Sequence, residues 1–248
     1  MKIDWSPLRA ELAAWRREKL PLPIWWRDDD AVARTPALSR LIALADTLNI
    51  AVHVAVIPDL IEPSLPPALD TPHTVPVVHG WQHISHAPDG AKNAEFGHMR
   101  PTTPQELSDG WTRLKAAFGE RALPLFVPPW NRIGADVVAR LPNAGYRAVS
   151  TYGPRSAAAV APDVTQINTH IDPIFWRGHR GLVDPDTLVA GIAATLFARR
   201  AGDTDPTEPL GLLTHHLVHT EGVWTFTHDV LSVLLEEGAQ PAQLSTLI

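Results

Sequence analysis

Short, nearly uninterrupted apolar runs alternate along the chain with longer stretches of helical periodicity. The runs predict strands over residues 23–27, 51–57, 74–78, 125–127, 146–150, 165–168 and 210–213. A run with no polar alternation suits a strand covered on both faces, as in a parallel sheet flanked by helices. The stretches between them open with helix-start chemistry. Thr35 stands as N-cap before Pro36 and a helix over 37–48. Thr103-Pro104-Gln105-Glu106 opens a helix over 106–118 that Gly119 closes, and Asp184-Pro185 opens one over 187–200, followed by Gly202. A last helix over 228–237 stops at Gly238. Seven strands in this order predict an α/β fold, either an incomplete (β/α) barrel or a doubly wound open sheet, in one domain spanning residues 1–248. The polar segment 201–209 is expected to be a surface loop.

Composition narrows the chemistry. With 45% hydrophobic and 19% charged residues among 248, the chain is globular and long enough for a sizeable core. Lys and Arg number 21 against 27 Asp and Glu, so there is no basic footprint for nucleic acid. Cysteine is absent, which excludes disulfides, thiolate metal sites and cysteine nucleophiles and leaves His, Asp and Glu as metal ligands. Charges recur through the first twenty residues, unlike a leader peptide, and no run approaches the roughly 20 apolar residues of a membrane span. The expectation is a soluble, cytoplasmic protein with no membrane partner. Nine Trp residues are many for this size; most will fill the core, but several flank polar motifs in the manner of an aromatic-walled pocket.

Those polar motifs follow the ends of predicted strands, where parallel α/β folds place their sites. After the first strand comes Asp28-Asp29-Asp30, three carboxylates whose mutual repulsion a divalent cation would relieve. After the third comes His79-Gly80-Trp81-Gln82-His83, two imidazoles four residues apart that a helical turn would put on one face, with His86 as a third candidate. Two nitrogens and a carboxylate oxygen leave positions open for water or substrate, as a catalytic site requires. Zn²⁺ suits that donor set best, with Co²⁺, Ni²⁺, Mn²⁺ and Fe²⁺ as alternatives. Pro128-Pro129-Trp130-Asn131-Arg132, Asp172 with Trp176-Arg177, and Thr214-His215-His216 follow later strands. There is no His-x-His pair after the first strand and no Gly-rich phosphate loop, which argues against other metal enzymes built on barrels.

In order along the chain, these segments resemble the motifs of the polysaccharide deacetylase (NodB-homology, carbohydrate esterase 4-like) superfamily. The Asp run resembles its Asp-Asp motif, His79 to His83 its His-x-x-x-His motif, and Phe126 to Trp130 its Pro-aromatic motif. Asp172 to Trp176 and Leu213-Thr214-His215 are similar to its Asp-to-Trp and Leu-x-His motifs. The resemblance implies a distorted (β/α)7 barrel that hydrolyses an N-acyl or O-acyl group on a sugar or related small substrate. It implies a metal on Asp30, His79 and His83, Asp29 as general base and His215 as general acid. Trp81, Pro129, Trp130, Asn131, Asp172 and Trp176 would face the substrate. The other register would use Asp28 and Asp29, and His216 rivals His215. Two departures mark a divergent branch. Phe126 or Val127 stands where the family carries an Arg that orients the base, leaving Arg132 or Arg27 as substitutes, and Gly80 replaces a small hydroxyl residue. A catalytically silent barrel that binds carbohydrate is the alternative.

Overall fold

The structure, a computed structural model, describes residues 3–248. The chain enters through helix α1 (Ser6–Arg17), for which the strand-and-helix pattern above makes no provision. Pro7 sits in its first turn, where a missing N–H is harmless, and Leu8, Leu12 and Trp15 share one buried face. The Trp15 indole donates to the Leu196 carbonyl at 3.2 Å, pinning α1 on a later helix.

Strand β1 (Pro23–Ala31) follows, then α2 (Pro36–Leu48), β2 (Val52–Val56), the short α3 (Leu65–Ala68) and β3 (Thr74–His79). Next come α4 (Thr103–Phe118), β4 (Leu125–Val127), α5 (Ala135–Val138), β5 (Ala148–Val149), β6 (Ala159–Ala161) and β7 (Val164–Gln166). The chain ends with α6 (Pro185–Ala201), β8 (Leu210–Thr214), α7 (Glu221–Glu236) and β9 (Gln240–Pro241). The expected caps are present on α2 and α6: Thr35 Oγ1 accepts from Leu38 N–H at 3.0 Å and Asp184 Oδ1 from Thr187 N–H at 2.9 Å. Helix α7 begins earlier than its sequence pattern indicates, because Thr220 caps it through Val223 N–H.

Strands run in the order β6-β7-β5-β4-β3-β2-β1-β8, all neighbours parallel except the β6/β7 pair, with β9 added parallel to β1. All seven expected strands are there. The ladder itself does not close. A single parallel bridge, Ile171 to Leu212, crosses the gap on the chain beyond β7, and another, Tyr152 to Thr169, prolongs the pairing of β5 with β7. The fold is therefore α/β with a distorted, incompletely laddered barrel. The 201–209 segment is a loop as expected, except that Glu208 turns inward and is 1% exposed. It accepts from the amides of Asn168 and Arg155, so polar bonds bind the gap where strand pairing fails.

Strand alternation divides the core in two. Ile24, Trp26, Val52, Val54, Val56, Val78, Phe126, Val149, Leu210 and Leu212 face outward into the layer shared with the helices. Trp25, Ala55, Val77, Leu125, Val127, Ala148 and Ile167 fill the inside. Continuing the inward rows toward the strands' C-terminal ends reaches Arg27 and Asp29 on β1, His79 on β3, Ser150 after β5 and His215 after β8. One end of the barrel is thereby polar.

Candidate active site

The Asp triplet lies within the strand rather than after it, because β1 runs on through Ala31. Alternation then sends Asp28 outward and Asp29 inward. Asp28 is fully buried among outer-layer groups: Oδ2 accepts from Thr214 Oγ1 at 2.6 Å and from the His216 amide at 3.0 Å, and Oδ1 bonds His216 Nδ1. Asp30 ought to follow Asp28 outward. It does not, since the pairing of β1 with β2 slips between Asp28 and Ala31 and Asp30 adopts φ +75°. A bulge of this kind re-aims one side chain, and here it brings the Asp30 carboxylate round to the histidines.

Asp30 Oδ1 is 3.1 Å from His79 Nε2 and 3.3 Å from His83 Nε2. His79 Nδ1 donates to the Val127 carbonyl at 3.1 Å, which fixes the ring and directs Nε2 at Asp30. Ligand atoms of Asp30, His79 and His83 all lie within 4.8 Å of one another. Among the described residues this is the group that fits a cation, and its donor set of two imidazoles and one carboxylate suits a divalent metal with open positions. Burial pushes the Asp30 carboxyl up, but the hydrogen bond and charge of His79 outweigh it and hold the group well below the usual carboxylate range. Burial likewise pushes His79 down, yet Asp29 and Asp30 together raise it above its ordinary value, while His83 is lowered by burial and by His79.

His79 and His83 are not on a helical turn. Gly80 at φ +59° and His83 at φ +60° fold the segment into a loop, and the carboxylate of Glu95 clamps it, accepting from the amides of Trp81 at 3.1 Å and Gln82 at 2.7 Å. A Cβ on residue 80 would fall 2.1 Å from Glu95 Oε2 and 2.6 Å from the Pro129 ring. Glycine is the residue this loop admits. The turn carries Trp81 away from the cleft to pack, partly buried, against the outer core. His86 is not part of the cation group.

Asp29 is gripped by Arg27, two residues back on the same face of β1. The guanidinium is fully buried; Nη2 donates to Asp29 Oδ2 at 3.0 Å, and Nε lies 2.9 Å from Oδ1 as an ion pair off the hydrogen-bonding angle. Its other donors reach Asn131 Oδ1 at 2.6 Å and Ser150 Oγ at 2.7 Å. Arg132, the other substitute for the family's arginine, donates to the Asn93 carbonyl instead. Nε2 of His215 is 3.9 Å from Asp29 Oδ2, and its ring meets the face of Trp176 edge-on at 4.7 Å. Its Nδ1 is buried without a hydrogen-bond partner. Asp172 accepts from the Ile174 amide and from Trp176 Nε1 at 2.8 Å; its carboxyl is raised, chiefly by burial.

These groups line one cleft of about 760 Å³. Asp29, Asp30, His79, His83 and His215 form its floor, and Trp130, Asn131, Asp172 and Trp176 its walls. Trp130, at φ +57°, lays its ring 4.3 Å from that of His83. Pro129 is buried behind Gly80 and, like Trp81, is not among the lining residues. Leu213 and Ile174, both within segments singled out from the sequence, also line it, as do Tyr152 and Arg180, which the sequence did not single out.

Comparison with solved structures agrees with this architecture. The chain is similar to a T48 deacetylase solved with substrate (15% identity, TM-score 0.56, covering 92% of this chain and 90% of that one). It is similar to a family 4 carbohydrate esterase from Streptomyces lividans in complex with acetate (11% identity, TM-score 0.57, covering 89% and 92%). A CE4 family pseudoenzyme from Bacillus anthracis also matches (13% identity, TM-score 0.56, covering 92% and 65%). No family model and no curated protein matches the sequence. At these identities the likeness establishes the fold: the chain has the deacetylase-type fold of the family 4 carbohydrate esterases, carried by a far-diverged sequence.

Proposed function

We propose that residues 1–248 form a single catalytic domain, a metal-dependent deacetylase that removes an acyl group, acetyl in the first instance, from an N-acetylated sugar or related small substrate. The observation that carries this reading is the convergence of Arg27, Asp29, Asp30, His79, His83 and His215 at one end of the barrel, in a cleft open to solvent. Asp30, His79 and His83 would hold the cation, with Zn²⁺ the first choice. When bound, it supplies Lewis acidity toward the acyl carbonyl and toward a water molecule.

The remaining steps belong to the protein. Asp29, fixed by both nitrogens of the Arg27 fork, accepts the proton of the attacking water. Arg27 would take, from β1, the place of the base-orienting arginine that the family resemblance implies on strand four. Opposite Asp29, His215 donates a proton to the leaving nitrogen or oxygen as the tetrahedral intermediate collapses. Trp176 holds the His215 ring from the side, and Trp130 offers a flat apolar face for a sugar ring.

The test is metal content by plasma mass spectrometry together with acetate release from N-acetylated sugars and aryl acetates. Wild type should carry near-stoichiometric metal and release acetate, and His79→Ala/His83→Ala should lose both. Turnover that survives the double substitution would overturn the reading. A silent binding module is the second reading, favoured by the likeness to a pseudoenzyme and by the unpartnered His215 Nδ1. It expects metal and sugar binding without turnover, and a sugar affinity that Asp29→Asn leaves intact.

A further inference from the structure

The cleft mouth carries charge that the proposed chemistry does not use. Arg132, Arg177 and Arg180 all line it. Among the described residues, Arg177 and Arg180 form no hydrogen bond or ion pair through their guanidinium groups. Arg132 donates to a neutral partner, the Asn93 carbonyl. Each carboxylate of the cleft is already answered: Asp29 by Arg27, Asp30 by His79 and His83, Asp172 by the Ile174 amide and the Trp176 indole. Among the described residues, none of the three arginines forms an ion pair with a carboxylate of the cleft.

Two of them sit on a loop built to present them. Ile174 and Leu182 pair as an antiparallel bridge, and the Phe175 amide donates to the Gly181 carbonyl at 2.9 Å, closing the loop at its base. Inside it the Phe175 carbonyl accepts from the amides of Gly178 and Arg180, both at 3.2 Å, and the Phe175 ring packs edge-on against His179 at 5.5 Å. Arg180 stands at φ +53°, an unfavourable left-handed conformation for a long side chain. Strain of this kind is maintained where the local structure has a use for the direction it imposes. Here it turns a guanidinium into the cleft that holds Trp176 and His215.

We propose that the substrate is anionic: an acylated sugar bearing a carboxylate or phosphate beside the acyl group, received by Arg132, Arg177 and Arg180 while the acyl group lies over the floor. Guanidinium groups favour such anions because their planar forks match two oxygens at once. This inference rests on the deacetylase reading for the reaction and on the arginines alone for the charge.

The experiment compares three acetylated probes: neutral diacetylchitobiose, the uronate-bearing disaccharide of N-acetylglucosamine and glucuronate, and N-acetylglucosamine 6-phosphate. Wild-type kcat/KM should favour one charged probe over the neutral one, through KM, and the preference should shrink as salt rises. In Arg177→Ala/Arg180→Ala the ratio of charged to neutral kcat/KM should fall about tenfold or more, the usual scale for loss of charge-assisted hydrogen bonds. The charge-matched control Arg17→Ala/Arg140→Ala, at two exposed arginines outside the cleft, should leave the ratio unchanged. Which charged probe wins separates a carboxylate from a phosphate. Equal rates on all three probes, with no change in the ratio in the double variant, would overturn the inference and leave the deacetylase intact. If none of the probes turns over, calorimetric binding of the same charged sugars decides. Salt-sensitive binding lost in the double variant upholds the arginine site independently of the reaction, and absence of binding removes it.

Discussion

Exchanging His216 for Ala separates the outward-facing histidine from its cleft-lining neighbour. His216 is 2% exposed and bonded through both Nδ1 and its amide to Asp28, itself fully buried. Burial pushes the Asp28 carboxyl up, but the charge of His216 outweighs it and leaves the group below the usual range. Burial pushes His216 down, and Asp28 outweighs that in turn, leaving the imidazole above its ordinary value. Truncating one member strands the other charge in the outer core, at a cost of about 3–5 kcal/mol. With an unfolding entropy near 2.1 cal/mol/K per residue, a chain of 248 residues loses roughly 6–10 °C in its midpoint. Calorimetry should find that loss in His216→Ala and in Asp28→Asn, with metal-supported turnover at low temperature retained. His215→Ala should do the reverse, changing stability by no more than about 1 kcal/mol and abolishing turnover.

The pH dependence follows from the two directions of shift. The pair is fully effective between the unfolded values of its members, about 3.9 for Asp and about 6.5 for His. Its contribution is lost as pH falls through the depressed folded value of Asp28, and again as pH rises through the raised folded value of His216. The gap in midpoint between wild type and Asp28→Asn/His216→Gln should therefore be widest between those limits and narrow on both sides. A His216→Ala protein that melts like the wild type yet has no activity, beside a His215→Ala protein that still turns over, would refute the assignment of strand faces on which the site rests.

Arg27→Lys keeps the charge but loses the fork that reaches Asp29, Asn131 and Ser150 together. Steady-state kinetics should show kcat lower by about a hundredfold, the scale of an ångström's misplacement of a reacting group, with KM little changed. Gly80→Ala puts a methyl group against Glu95 and Pro129 at positive φ, costing about 1–3 kcal/mol in backbone strain. Zinc titration should show weaker binding, and an unaltered affinity would mean the loop can yield without moving the histidines. Trp176→Phe preserves a ring beside His215 but removes the Nε1 donor to Asp172. A fall in kcat of about tenfold is expected from a lost hydrogen bond to a charged acceptor, and unchanged kcat would dissociate Asp172 from the reaction.

Much of the framework was readable from the chain because strands covered on both faces leave plain apolar runs, and all seven expected strands are present. Helix α1 was not among the expected elements, although Leu8, Leu12 and Trp15 have helical spacing and the charges between them form its solvent side. Nor was strand β6, since it consists of three small residues whose extended form depends on pairing with β7. The four-residue spacing of His79 and His83 suggested a helix because it is the helical repeat. The actual loop is held by Glu95, a contact that no local pattern contains.

The acidic triplet shows where reading stops. Under strict alternation Asp28 and Asp30 share one face of β1 and Asp29 has the other, so no two neighbours could enter the cleft together. A pair of adjacent carboxylates at one site requires a break in the strand, and three identical residues give no sign of where it falls. The slip after Asp28 and the positive φ of Asp30 supply it. Arg27 is the converse case. Alternation alone puts it on the face of Asp29, two residues away, whereas Arg132 follows a different strand and spends its guanidinium on the Asn93 carbonyl. The arginine that the strand-four motif lacks was thus available beside the proposed base, on the same row of the same strand.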